Sequence, residues 1–536
     1  MTERRKNMLN NAEEIRLGRC CLGIELGSTR IKAVLINKEG EVVAQGNFDW
    51  ENDYVDGVWT YPLEKAVKGT QSAYARLKED VKEKYGETVK KLCSAGISAM
   101  MHGYIAFDKQ GNQLGNFRTW RNTITEEAAD ALTELFSFNI PQRWSIAHLQ
   151  QAIMNGEKGV DSVDYLTTLS GYIHYLLTDK RVLGADDASG MFPIDSEKLG
   201  YNEKMLEKFD EYNKGKLNKK LKDILPCVLA AGENAGTLTA DGARLLDPDG
   251  DLIPGVPMCP PEGDAGTGMV ATNSVDYRTG NISAGTSIFS MTVLEKPLSK
   301  MYREIDMVTT PDGKDVAMVH CNNCTGDIDA WVRVLGETLC AFGVDVKKGA
   351  LYDKFYELAL NAEKDCGGVV SYNFFSGEPV IGVPAGRPMT VRTPDAKLSL
   401  SNLARSLVYS SFATLKLGMD ILTVDEKVKI DIMLGHGGLF KTPVVGQKLL
   451  ASALGFPVAV MPTAAEGGAW GIAVLALYMA DKKDGETLGD FLNTRIFASN
   501  EKTVIAPDKE DAAGFDKYLN RYSAGLAAHA GAAKIN

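Results

Sequence analysis

CCLGIELGSTRIKAVLINKEGEVVAQG, residues 20–46, reads as an apolar strand, a Gly-Ser-Thr corner, a second apolar strand, a Lys-Glu-Gly turn and a third strand. That pattern is a β-meander. Gly27, Ser28 and Thr29 put backbone N–H groups and two hydroxyls at its first corner, with Arg30 and Lys32 close behind. This donor set suits the terminal phosphates of a nucleotide, and it serves an ordinary hairpin turn equally well. The corner returns in the second half of the chain. In NISAGTSIFSMTVLEKP (281–297), residues 281–283 and 288–294 are strand-like, with Gly285, Thr286 and Ser287 between them. One turn shared by two halves implies an internal duplication, with a domain boundary near residue 275.

The bulk properties agree with two domains. At 536 residues the chain exceeds one ordinary core, so two domains with a cleft between them are expected. A net charge of −11 argues against a surface built to grip a polyanion, which removes nucleic acid as a partner. Nine scattered cysteines, an odd number, fit free thiols in a reducing cytosol, and the lone CxxC at Cys321 and Cys324 lacks the further ligands a zinc site needs. The N-terminal MTERRKNMLNNAEEIRLGR has no apolar stretch behind its basic residues, so it is no secretory signal and residues 1–18 read as a solvated helical extension. The most apolar stretch, 470–480, spans 11 residues, about half of a membrane crossing. A cytoplasmic protein without a membrane partner is the expectation.

Between the two meanders lie the residues with chemistry. A helix at 62–84 leads to the strand-like LCSAGISAM (92–100), which ends in Met101-His102-Gly103. A smaller meander follows at 104–123 and carries Trp120, Arg121, Asn122 and Thr123. His102 with Trp120 and Asn122 suits a polyhydroxylated ligand, whose C–H faces and hydroxyl edge need aromatic and polar contacts together, although core packing would use the same residues. Residues 124–225 are helical in period, a layer over the first sheet, interrupted by GADDASGMFPID (184–195), where Asp186 and Asp187 suit a cleft, although acidic turn residues are usually just solvated. In PEGDAGTGMV (261–270) a single carboxylate, Asp264, stands among small residues, as a turn or helix cap would have it and as an active-site base would too. Residues 430–460 read as a buried strand ending in Gly435-His436-Gly437-Gly438, a helix and another strand. Glycines at such a junction open a helix N-terminus to a ligand. Glu466, Gly467 and Gly468 then start an apolar helix (463–480), which suits packing beside an adenine or in a core.

The ordered set GIELGSTRIK (23–32), MHG (101–103), GDAGTG (263–268), SAGTS (283–287), GHGG (435–438) and EGGAWGIA (466–473) resembles the FGGY carbohydrate kinases, within the superfamily of sugar kinases, actin and Hsp70 ATPases. The resemblance runs from about residue 21 to 480. It implies an α/β fold of two RNase-H-like domains with a catalytic cleft: after the extension, a sugar-binding domain at 19–275 and a nucleotide-binding domain at 276–536. It implies Asp264 as catalytic base and substrate contact, with Met101, His102, Trp120 and Asn122 as sugar contacts. ATP would be met by Gly27, Ser28, Thr29, Lys32, Gly285, Thr286, Ser287, Gly437, Gly438, Glu466 and Gly467, and Mg²⁺ by Glu25 and Asp264. The implied reaction is ATP-dependent phosphorylation of a small sugar, a ketopentose such as xylulose. Other sugars or polyols (ribulose, rhamnulose) and an ATPase driving domain motion are the alternatives, and a homodimer is compatible. Two places depart from the family pattern. Glu25 stands where G-I-D-L-G-T has Asp, and Trp120-Arg121-Asn122-Thr123 stands where the xylulokinase branch carries W-N-D-x-R.

Overall fold

The computed structural model describes residues 3–461, 467–498 and 502–535, in two compact units. The first comprises Met1–Val275, Met307–Asp315 and Glu466–Ser499, and the second the remainder. In the first unit β1 (Cys21–Leu26), β2 (Arg30–Ile36) and β3 (Val42–Asp49) form the antiparallel meander. β4 (Ser94–Ala99) joins β1 in parallel and β5 (Glu262–Gly263) joins β4 in parallel, giving the order β5-β4-β1-β2-β3. Side chains alternate faces along a strand, so Gly46, paired with Ala33, and Gly23, paired with Val34, mark opposite faces. Each glycine admits a helix. A Cβ on Gly46 would collide with Ala73 O of the Leu63–Tyr85 helix, and one on Gly23 with Ala469 O of the Gly467–Asp481 helix. Both faces are therefore covered, and Ile24, Leu26, Ile31, Val34 and Leu35 are fully buried.

The Gly467–Asp481 helix packs within the first unit's core, because its apolar circumference has the β1/β4 face to fill. The N-terminal segment is helical over Glu3–Leu17, but it is docked rather than merely solvated: Ile15 and Glu14 are buried, and Arg16 meets Glu87 at 2.8 Å. Further along the unit, Lys78 Nζ lies 2.7, 3.1 and 2.8 Å from Asp247, Asp249 and Asp251, so a cation from the chain itself offsets part of the charge of this cluster of carboxylates.

The second unit repeats the local topology. β6 (Thr279–Ala284) pairs antiparallel with β7 (Ile288–Val293), which continues to β8 (Asp315–Cys321). β9 (Ile432–His436) joins β6 in parallel, followed by β10 (Val458–Val460) in parallel and β11 (Thr503–Ile505) antiparallel. Thus β6, β7 and β9 stand to one another as β1, β2 and β4 do, and the corners 27–29 and 285–287 occupy the same place in each motif. The Leu400–Asp420 helix continues to Asp425, giving 26 residues long and apolar enough to cross a membrane, a span the sequence reading did not single out. Two thirds of its apolar window is buried, and Arg405 within it is fully buried beside Asp511 and Tyr409, so it is the core helix of this unit.

Candidate active site

The first unit gathers its carboxylates at one edge because β1, β4 and β5 run parallel and end together. Glu25 is paired with Ser98, and Gly263 with Ala99, so Asp264 follows immediately where β1 and β4 finish. Open α/β sheets bind ligands at this carboxyl edge. Glu25 shares a face with Gly23, two residues earlier, and so points to the side covered by the Gly467–Asp481 helix. Its Oε2 accepts a hydrogen bond from Ala469 N at 3.2 Å. A Cβ on Gly468 would overlap Glu25 Oε1, and Gly467 turns at φ +76°, so both glycines are what let the helix open onto this side chain.

Asp264 is the first residue of the Asp264–Ala271 helix, and its Oδ1 accepts from Met101 N at 2.9 Å. Its carboxylate remains open to solvent, yet the protein packed around it raises its pKa, opposed by the N–H of Met101 and by the helix's own first amides. Burial and then the charge of Asp264 push Glu25 up to about 7, against the Ala469 N–H and Lys32, its cross-strand partner. The charge of Asp264 thus disfavours ionisation of Glu25, as it would where a cation is lacking, and the hard oxygen donors of the two side chains fit Mg²⁺.

Beneath Asp264 lies an acidic cluster that the sequence reading left between a cleft and solvent. Asp186 and Asp187, in the Ala185–Ser189 helix, and Glu262 are all buried. Asp186 Oδ2 accepts from Gly266 N at 3.0 Å, and this approach needs Gly263 and Gly266, where a Cβ would stand 2.8 and 2.6 Å from that oxygen. Asp187 Oδ2 accepts from Thr168 Oγ1 at 2.6 Å and from Ser170 Oγ, while Asp187 N donates to Glu262 Oε2 at 3.2 Å. Asp186 Oδ1, Asp187 Oδ1 and Glu262 Oε1 have no hydrogen-bond partner among the described residues. Burial raises all three carboxyls, Asp187 to about 7.

Asp187 stays protonated in the fold up to about pH 7 but ionises near pH 4 when unfolded, so it favours the fold at low pH and that contribution is lost as pH rises from 4 to 7. Asp186, Glu262, Asp264 and Tyr201 are ionisable groups around it. Asp187→Asn therefore gains on the wild type with rising pH, by about 4 kcal/mol at most at pH 8. Denaturant unfolding at pH 4 and pH 8 measures this. A gap that does not widen would show that Asp187 is not held protonated.

The sugar candidates divide. Met101 and His102 are buried beside the Asp264 helix, and His102 adopts φ +69°. Trp120 is 40% exposed, with Nε1 donating to Ser28 Oγ at 3.3 Å. Asn122 is buried and its amide is committed: Oδ1 accepts from Trp59 N at 2.8 Å, and Nδ2 donates to Trp59 O at 2.8 Å and Thr119 O at 3.0 Å. Arg121 lies 4.3 Å over the Trp59 ring. The residues that depart from W-N-D-x-R thus brace the 58–60 strand and leave Trp120 as the exposed face.

Of the phosphate-corner candidates, Gly27 N closes the turn on Arg30 O at 3.0 Å. Trp50 Nε1 and Tyr61 OH hold the carbonyls of Gly27 and Ser28 at 2.7 and 2.6 Å. Thr29 is exposed and Lys32 half-buried. In the second unit, Gly285 N closes on Ser287 O at 2.9 Å, and Cys324 N donates to Thr286 O at 2.9 Å. Ser283 pairs with His436, so Gly437 and Gly438 follow at the same edge as this corner. Gly437, at φ +103°, passes so close to Ala284 O that a Cβ would overlap it, while Gly438 is open. Gly467 stands in the first unit beside Glu25, and Glu466 lies outside the described residues. One residue the sequence reading missed is Arg143, whose Nε donates to His102 Nε2 at 3.1 Å. No spacing or motif marked it.

Comparison with known proteins agrees with this architecture. Residues 20–264 match the N-terminal domain, and residues 280–480 the C-terminal domain, of the FGGY family of carbohydrate kinases. A xylulose kinase of Haemophilus influenzae is 21% identical over 437 residues, 80% of this chain and 83% of that protein. The fold is that of the ligand-bound xylulose kinase from Lactobacillus acidophilus, with a TM-score of 0.79 at 17% identity over 96% of this chain and 99% of the other. A gluconate kinase from the same species gives a TM-score of 0.78, also at 17% identity, over 96% and 99% of the two chains. With both family domains matched in order along most of its length, the chain belongs to the FGGY family of carbohydrate kinases and is a phosphotransferase of the xylulokinase-like kind.

Proposed function

We propose that this enzyme transfers the terminal phosphate of ATP to a hydroxyl of a ketopentose such as xylulose, with Asp264 as general base. The observation that carries the reading is the setting of Asp264. Phosphoryl transfer asks the protein for alignment of the acceptor and removal of its proton rather than for covalent chemistry. The Met101 N–H fixes the orientation of the carboxylate through Oδ1, and the raised pKa makes it a better proton acceptor than an ordinary aspartate. Glu25 and Asp264 are the residues that would hold Mg²⁺. When bound, that ion neutralises charge on the ATP phosphates. In the second unit, the Gly285–Thr286–Ser287 corner with Gly437 and Gly438 offers close backbone approach to the nucleotide.

Xylulose as substrate is supported by Met101-His102-Gly103 and by the similarity to xylulose kinases. A second reading, another sugar, a sugar acid or a polyol as acceptor, is favoured by the equal likeness to a gluconate kinase and by the committed amide of Asn122. ADP release measured against ketopentoses, aldopentoses, hexoses, polyols and aldonates separates the two. Turnover stimulated most by xylulose is expected. Stronger stimulation by an aldonate or polyol would move the acceptor and keep the base, while turnover independent of any acceptor would point to an ATPase.

A further inference from the structure

We propose that Arg143 is a positioning residue for the transfer, acting through His102 and Met101 on Asp264; this rests on the reading of Asp264 as base. A guanidinium only donates, so His102 Nε2, 3.1 Å from Arg143 Nε, is an acceptor and carries no hydrogen. The ring proton is therefore on Nδ1, which donates to Gly190 O at 3.1 Å. The hydrogen-bond network thus assigns one neutral tautomer and occupies both ring nitrogens with protein. The ring also lies nearly parallel to Trp144, 6.3 Å between centres, and a Cβ on Gly190 would stand 2.5 Å from His102 Nδ1.

This clamp holds a residue that would not otherwise keep its shape. His102 has φ +69°, a left-handed conformation that is unfavourable for a non-glycine residue and persists only where its surroundings determine it. The residue before it, Met101, sends its N–H to Asp264 Oδ1 at 2.9 Å. Arg143 and Gly190 therefore fix the imidazole, the imidazole fixes the 101–103 turn, and the turn fixes the base. His102 on this account contributes geometry rather than a ring nitrogen to the sugar.

Four full-length variants test the chain of contacts: Arg143→Met, Arg143→Lys, His102→Asn and the double Arg143→Met/His102→Asn. Asn tolerates the left-handed backbone and keeps a donor toward Gly190 O, but gives up the ring nitrogen that meets Arg143. Arg143→Met is expected to lower kcat by about 10- to 100-fold with KM for the sugar within about 3-fold, as misplacement of a reacting group does. Arg143→Lys, which retains a donor, is expected to recover part of it. The double variant should be no worse than Arg143→Met alone, because the two residues act in one line. Additive losses, or a KM effect with kcat retained, would place Arg143 or His102 directly on the sugar and overturn the proposal. A second readout does not depend on turnover. Nitrogen-15 spectra of the labelled imidazoles of the six histidines should show one with hydrogen fixed on Nδ1 in the wild type and lose that state in Arg143→Met. An unchanged spectrum overturns the proposal even if no acceptor sugar is found, whereas absent turnover with the expected spectrum faults the reading of Asp264 alone.

Discussion

Asp264→Asn is expected to bind ATP normally and to phosphorylate sugar about 10²-fold more slowly or worse. The substitution is nearly isosteric. An amide oxygen in place of Oδ1 still accepts from Met101 N, and Gly266 N remains on Asp186, so the head of the Asp264–Ala271 helix keeps its shape. What disappears is an atom able to take the acceptor's proton, together with one charge beside Glu25. Relief of that charge lets Glu25 ionise more readily, because Asp264 is one of the causes that hold it near 7. The loss should therefore appear in kcat, measured by ADP release at saturating sugar, while ATP affinity measured by titration is retained. Near-normal turnover would remove Asp264 from the role of base.

The second large effect is structural. Gly471 lies where the Gly467–Asp481 helix crosses the Asp264–Ala271 helix, and a Cβ there would fall well inside contact distance of Thr267 O. The obstacle is backbone, on a helix that itself packs beneath the sheet edge, so it cannot swing aside. Gly471→Ala is expected to destabilise the first unit by about 3 kcal/mol, overpacking outweighing the helix propensity that alanine would add. Denaturant midpoints of the whole protein measure it. Because the same helix presents Ala469 N to Glu25, the folded fraction should also lose activity. A variant as stable as the wild type would mean that the two helices slide apart more freely than their contact implies.

The fold was legible where local pattern and topology coincide. Residues 20–46 carry enough apolar alternation to give three strands, and the Gly-Ser-Thr corner was visible twice because each copy joins two such strands. Asp264 stood out for a related reason, a carboxylate amid small residues that leave room around it. What escaped was set by pairing over distance. Asp186 and Asp187 look like any acidic turn until Gly263 and Gly266, some 80 residues later, turn out to press against Asp186, and Glu262 to meet Asp187. Asn122 resembled a ligand residue, yet its amide is committed to Trp59, 63 residues earlier. Arg143 has no neighbours in sequence that mark it, since its meaning lies in the nitrogen of a histidine 41 positions before it. The placement of the Gly467–Asp481 helix was hidden likewise. Its sequence states that it is buried all round but not against which sheet.

That placement bears on how the protein is made. Ser94 Oγ donates to Ala476 O at 2.8 Å and Trp470 Nε1 to Gly40 O at 2.8 Å, so strands near the start of the chain are completed by a helix from near its end. When residues 1–275 leave the ribosome, the β1/β4 face is bare and Glu25 has no amide to meet, and about 200 more residues must be synthesised before its cover arrives. Translation therefore passes through a long interval with an apolar sheet open to solvent, and the part of the chain that begins first is among the last to finish folding.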